Sequence, residues 1–154
     1  MVLKDFAYID SSAFKLFTFE ILAGDPGSAL REPGSLVLTD ETAARLSLAG
    51  DPVGQSLRDD DGIEYKITAV VKKFPRNSHF QFDALVSFST LRSGAWQTNF
   101  NNNCLNTYLM LTQGADSKAL EAKIPAFLKR RGILFPEKYV YYLHPLRDMH
   151  LRST

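Results

Sequence analysis

Two strand-like arms, QSLRDD and IEYKITAVVKKF, flank the dipeptide Asp61-Gly62. Glycine reaches positive φ without a Cβ penalty, and Asp-Gly between two such arms predicts a hairpin with a type I′ turn. The second arm places Ile63, Tyr65 and Ile67 on one side and Glu64, Lys66 and Thr68 on the other, the alternation of a half-buried strand. A lone hairpin is marginal in water, so the rest of the chain must cover it.

It offers both strands and helices for that purpose. VLKDFAYID reads as a strand, and Asp10 or Ser11 caps a short helix, SSAFKLF, with Phe14, Phe17 and Ile21 to one side. AGDPG is a turn, and SLVLT is a strand of the buried type. Thr39 is a good N-cap for DETAARLSL, whose Asp40 and Glu41 complement the helix dipole. FQFDALVSFSTL is a further strand, with Phe80, Phe82, Ala84 and Val86 predicted on one face. The Asn-rich stretch RSGAWQTNFNNNCLN has no period and reads as an irregular loop, followed by a short strand, TYLMLT. Asp116 caps SKALEAKIPAFLKRRG, inside which Pro125 is predicted to kink the helix and after which Gly132 stops it. KYVYYLHPL closes the ordered part as a strand.

At 154 residues the chain is long enough for one domain or two small lobes. Hydrophobic residues at 45% and charged residues at 23% argue against disorder. A net charge of +1 gives a nucleic-acid role no support. Charge is uneven, however: from Ser117 to Thr154 there are eight Lys/Arg against three Asp/Glu. That basic third is either a solvated helix face or a surface for a membrane or an acidic partner. The single cysteine, Cys104, excludes an intrachain disulfide. No run approaches the ~18 apolar residues of a membrane span. MVLKDFAYID lacks the features of a signal peptide, which points to the cytoplasm unless Met1 is an internal start within a longer protein.

The residues that carry chemistry do not assemble into a known motif. His79, His144 and His150 lack metal-ligand spacing, and Asp59-Asp60-Asp61-Gly62 lacks the alternation of a calcium loop. Cys104 has no histidine close in sequence, and there is neither a Gly-x-Ser-x-Gly elbow nor a phosphate loop. Tyr139, Tyr141 and Tyr142 fit an aromatic strand packed on a helix better than base stacking. No catalytic residue, cofactor or metal site is expected. Asp51, Pro52 and Gly54 of DPVGQSL are expected to hold a structural turn. In the Asn-rich loop, Trp96 and Phe100 are candidates for an interaction surface, with burial as the alternative.

Several stretches in order resemble the MacB-like periplasmic core domain of FtsX-like ABC transporter permeases. They are YIDSSAFKLFTFEILAGDP, SLVLTDETAARL, GDPVGQSL, YKITAVVKKFPRNSHFQFDALVSFSTL, TYLML and GAD; the PRNSH segment is similar to the Bacteroidetes-type version. No one motif is specific, but their order and spacing are. The resemblance implies an α+β, two-lobed mixed domain. A β-α-β membrane-proximal lobe would comprise residues 1–10 and 104–154, and a β-rich lobe, residues 11–103, would be inserted into it. It implies a fragment of a larger inner-membrane permease with four membrane helices, the domain lying in the periplasm between the first two. The function implied is non-enzymatic: ATP hydrolysis by a separate nucleotide-binding subunit moves the permease dimer, and the periplasmic domains expel or hand on a peptide, lipoprotein or drug. Implied partners are that ATP-binding subunit, a second permease copy and a periplasmic partner or substrate. Two other readings stand beside it: a free-standing extracytoplasmic binding module, and a small hydrolase using Cys104 or a histidine.

Overall fold

The computed structural model describes residues 5–48, 50–78, 80–91, 105–133 and 138–148. Residues 1–92 and 93–154 form two compact units.

The first unit is a mixed sheet. Its strands are β1 (Phe6–Ile9), β2 (Ile21–Gly24), β3 (Ser35–Thr39), β4 (Ser56–Arg58), β5 (Glu64–Val71) and β6 (Ala84–Ser87). The order is β1-β6-β3-β5-β2, and β4 pairs with β5 beyond the end of β2. Parallel and antiparallel pairs alternate: β1 with β6 is parallel, β6 with β3 antiparallel, β3 with β5 parallel.

Every residue of β3 is buried, as expected of SLVLT, because it lies mid-sheet with both faces covered. Val37 points to an aromatic layer that includes Leu30, Phe74, Phe80 and Leu85. Leu36 and Leu38 point the other way, with Ile67, Val70, Ala84 and Val86. On the aromatic side lies helix α1 (Ala13–Leu16), with Phe14, Phe17 and Phe19 packed against that layer. On the opposite side lies α2 (Asp40–Arg45), which follows β3 directly. Thr39 Oγ1 accepts from the Thr42 N–H and donates to Thr42 Oγ1 at 2.9 Å, so a buried hydroxyl pair fixes the helix start.

Three expectations are corrected here. The hairpin turn is not type I′: Gly62 alone in it has positive φ, at 80°, and Asp59 pairs with Ile63 across a three-residue connection. Asp59 Oδ1 takes the Ile63 N–H and thereby stabilises this longer loop with its terminal glycine bulge. Phe80 and Phe82 do not share a face with Ala84 and Val86. The N–H groups of Asp83 and Ala84 both turn to Asp5 O, which breaks the alternation. Ile21, expected beside Phe14 and Phe17 on a helix face, instead opens β2, which also takes Ala23 and Gly24 from the expected AGDPG turn.

β1 runs parallel to β6 from Phe6↔Ala84 to Ile9↔Ser87 and falls within the first unit. The fold class is α+β, a mixed sheet with helices on its faces.

In the second unit, Asp116 accepts from Lys118 N and Ala119 N and starts α3 (Ser117–Glu121). The expected single kinked helix is two helices. Pro125 sits in the first turn of α4 (Ile124–Arg130), where its missing N–H costs no hydrogen bond. Gly132, at φ 83°, ends α4: its N–H bonds Lys129 O while Ile133 N–H bonds Leu128 O. This is the paired C-terminal pattern that satisfies the last carbonyls. The stretches TYLMLT and residues 138–145 form no ladder among the described residues; instead Leu143 N–H donates to Glu121 Oε1 at 2.7 Å.

Candidate functional site

The loop Asp51 to Gln55 is held by its own atoms. Asp51 Oδ1 accepts from Val53 N–H at 2.9 Å, and Gln55 Nε2 donates to Asp51 O at 2.8 Å. Pro52 O accepts from Gln55 N–H, and Gly54 lies at φ 94°. The loop then bonds to the sheet: Gly54 N–H donates to Ile67 O, and Ile67 N–H to Gln55 O, each at 2.8 Å. The DPVG segment therefore continues the backbone pairing along β5 and presents no reactive group.

A second construction joins α2 to the strands. Arg45 donates to Asp83 Oδ2 at 2.7 Å, while Lys73 Nζ lies 3.6 Å from Asp83 Oδ1 and 3.6 Å from Glu41. The Asp83 side chain is only 11% exposed, so its charge needs these partners. The Arg45 hydrogen bond, more than the two cations' fields, holds the Asp83 carboxyl below the usual range against desolvation. Because the native value is depressed, the stabilisation is complete above the unfolded value of about 4 and is lost as pH falls through the native one. Asp83→Asn is expected to cost about 1–3 kcal/mol at pH 7, with the gap to wild type closing below about pH 4. Urea unfolding of both proteins at pH 7 and pH 3 measures it; an equal gap at both would remove the ion pair as its source.

Beside α2 lies a crevice of about 450 Å³. Leu36, Val86 and Leu57 contribute to its floor from β3, β6 and β4, Leu46 and Leu48 line the side towards α2, and Phe6 of β1 lines it as well. The β4–β5 hairpin adds Arg58 and the three carboxylates Asp59, Asp60 and Asp61. Arg58 is paired to Glu64, and Asp59 accepts from the Tyr65 hydroxyl at 3.1 Å. Burial, followed by the Tyr8 hydroxyl and the Asp59 carboxylate, pushes the Tyr65 hydroxyl well above its ordinary range. Tyr65 is thus a neutral donor at physiological pH. Asp60 and Asp61 are exposed and make no ion pair among the described residues.

The crevice was not foreseen, since its lining comes from five strands whose neighbourhood no local pattern encodes. Trp96, Phe100, Cys104, His79 and His150 lie outside the described residues. His144 is described, and no group of three metal-capable side chains gathers among the described residues. Likewise, no described helix is long and apolar enough to cross a membrane.

The sequence profile of the MacB-like periplasmic core domain matches residues 5–127. A permease-protein domain from Porphyromonas gingivalis superposes with a TM-score of 0.65 at 22% identity, over 91% of this chain and 68% of that one. The periplasmic region of MacB from Actinobacillus actinomycetemcomitans gives 0.51 at 13% identity, over 81% of this chain and 56% of the other. At these identities the two structures speak for the fold. No curated protein sequence matches the chain. The profile match spans most of the chain, and on that ground the chain belongs to the family of MacB-like periplasmic core domains, found in ABC transporter permeases.

Proposed function

We propose that this chain is the extracytoplasmic part of an ABC permease, and that it relays ATP-driven movement of the membrane domain to a substrate or partner outside the inner membrane. The family match over residues 5–127 is the observation that carries this reading. The first unit has the mechanical properties such a relay needs. Each face of its sheet carries a packed apolar cluster, and Asp83 ties α2 to the strands through Arg45 and Lys73. A body of this kind passes on displacement as a unit, because packed cores resist continuous deformation. The work comes from differential contacts in two conformations of the assembly, and no reacting group within this chain takes part. The ATP-hydrolysing subunit and a second permease copy belong to the same proposal.

Topology tests it. In the full-length protein, Cys104 is replaced, a cysteine is placed at exposed Asp61, and intact cells receive a membrane-impermeant thiol reagent. Labelling before lysis is the expected result. Labelling only after lysis would return the chain to a cytoplasmic role.

A further inference from the structure

The crevice beside α2 is a trough. Its lining runs through β1, β6, β3, β5 and β4, and four strand spacings make it roughly 19 Å across. That is the length of an extended segment of about six residues. Its accessible apolar surface comes from Phe6, Leu46, Leu48 and Leu57, over a floor in which Leu36 and Val86 are already buried, and one end carries the hairpin carboxylates. Those charges are asymmetric: Arg58 is engaged by Glu64, whereas Asp60 and Asp61 have no ion-pair partner among the described residues. Tyr65 and Asp59, already bonded to each other, hold the hairpin base in place beneath them.

We infer that this trough binds a short segment of a protein partner carrying bulky apolar side chains followed by basic ones. The apolar side chains pack against Phe6, Leu46, Leu48 and Leu57, and a lysine or arginine at the segment's end meets Asp60 and Asp61. Burial supplies the affinity, and the carboxylates set the direction in which the segment lies. This binding goes beyond the relay role and does not depend on it, since it is a property of the isolated chain.

The probe is the peptide Ac-Phe-Leu-Phe-Leu-Arg-Lys-NH2, titrated into the 154-residue protein while backbone amide shifts are followed by NMR. Shifts are expected at Leu46, Leu48, Leu57 and Asp59 to Gly62. The double variant Asp60→Asn/Asp61→Asn, on an exposed turn, is expected to weaken binding roughly five- to tenfold and to flatten its salt dependence. Leu48→Ser should weaken it independently of salt. An acid-ended peptide, Ac-Phe-Leu-Phe-Leu-Glu-Asp-NH2, that shifts the same amides equally would overturn the inference. So would shifts confined to other regions, no shifts at millimolar peptide, or concentration-dependent shifts without peptide, which would assign the trough to a second copy.

Discussion

Gly24→Ala is expected to cost more than about 3 kcal/mol, a large share of the 5–15 kcal/mol of a typical domain. Gly24 closes β2 at φ 89°, where an L side chain alone costs about 1–2 kcal/mol. It also faces Ala69 across the antiparallel pair. A Cβ there would lie 2.7 Å from Ala69 Cα and closer still to the Thr68 carbonyl oxygen. Both are backbone atoms of β5, so relief requires β2 to separate from the sheet. Gly50→Ala provides the control, because Gly50 has a similar φ of 71° with nothing within 4 Å of its added Cβ. Urea denaturation should find a loss of about 1 kcal/mol there, from conformation alone. Equal losses in both variants would show that β2 yields freely and that the approach of β2 to β5 is not a constraint.

Phe80→Ala should be nearly as damaging, at about 3–5 kcal/mol. Phe80 is 8% exposed and, among the described residues, packs against the rings of Phe17 at 4.6 Å, Phe19 at 5.6 Å, and Phe74 and Phe82 at 6.1 Å each. Two of these contacts are edge-on, the geometry aromatic quadrupoles favour. Phe80 therefore joins the α1 segment to the chain leading into β6, and its removal leaves a hole bordered by rings that cannot all move inward. Phe80→Leu keeps much of the volume and is expected to lose well under half as much. Thermal and urea unfolding of both variants checks this; matching losses below about 1 kcal/mol would mean that the cluster collapses around the gap.

Local signals predicted local structure well. SLVLT has the composition of a strand covered on both faces, Thr39 and Asp116 are caps with the right side chains, and Asp61-Gly62 marks a reversal whatever its turn type. Errors arose where a distant group decided the outcome. Asp5 O captures two amides of the 83–84 segment and reverses which side Phe80 and Ala84 take. Pro125 looked like an interior fault because the break at Ala122–Lys123 has no composition of its own. The trough was illegible for the same reason: Phe6, Leu36, Leu57 and Val86 become neighbours only through the sheet order. Arg45 and Asp83 are likewise brought together from far apart in the chain. The family itself was readable, because the order of several weak motifs accumulates information that none of them holds singly.

The parallel pairing of β1 with β6 sets a timetable for biogenesis. β1 precedes every other described strand of the unit, yet it pairs with β6, the last of them. β3, the fully buried middle strand, also waits for β6 to cover one of its edges. A chain emerging from its N-terminus therefore holds Phe6, Tyr8 and Leu36 to Leu38 without their final neighbours until Ala84–Ser87 has emerged. Pairings so distant along the chain form slowly and leave strand edges open meanwhile. The interval between the appearance of the first strand and the arrival of the last is when this domain is most exposed to aggregation, and when a holding chaperone would be of most use to it.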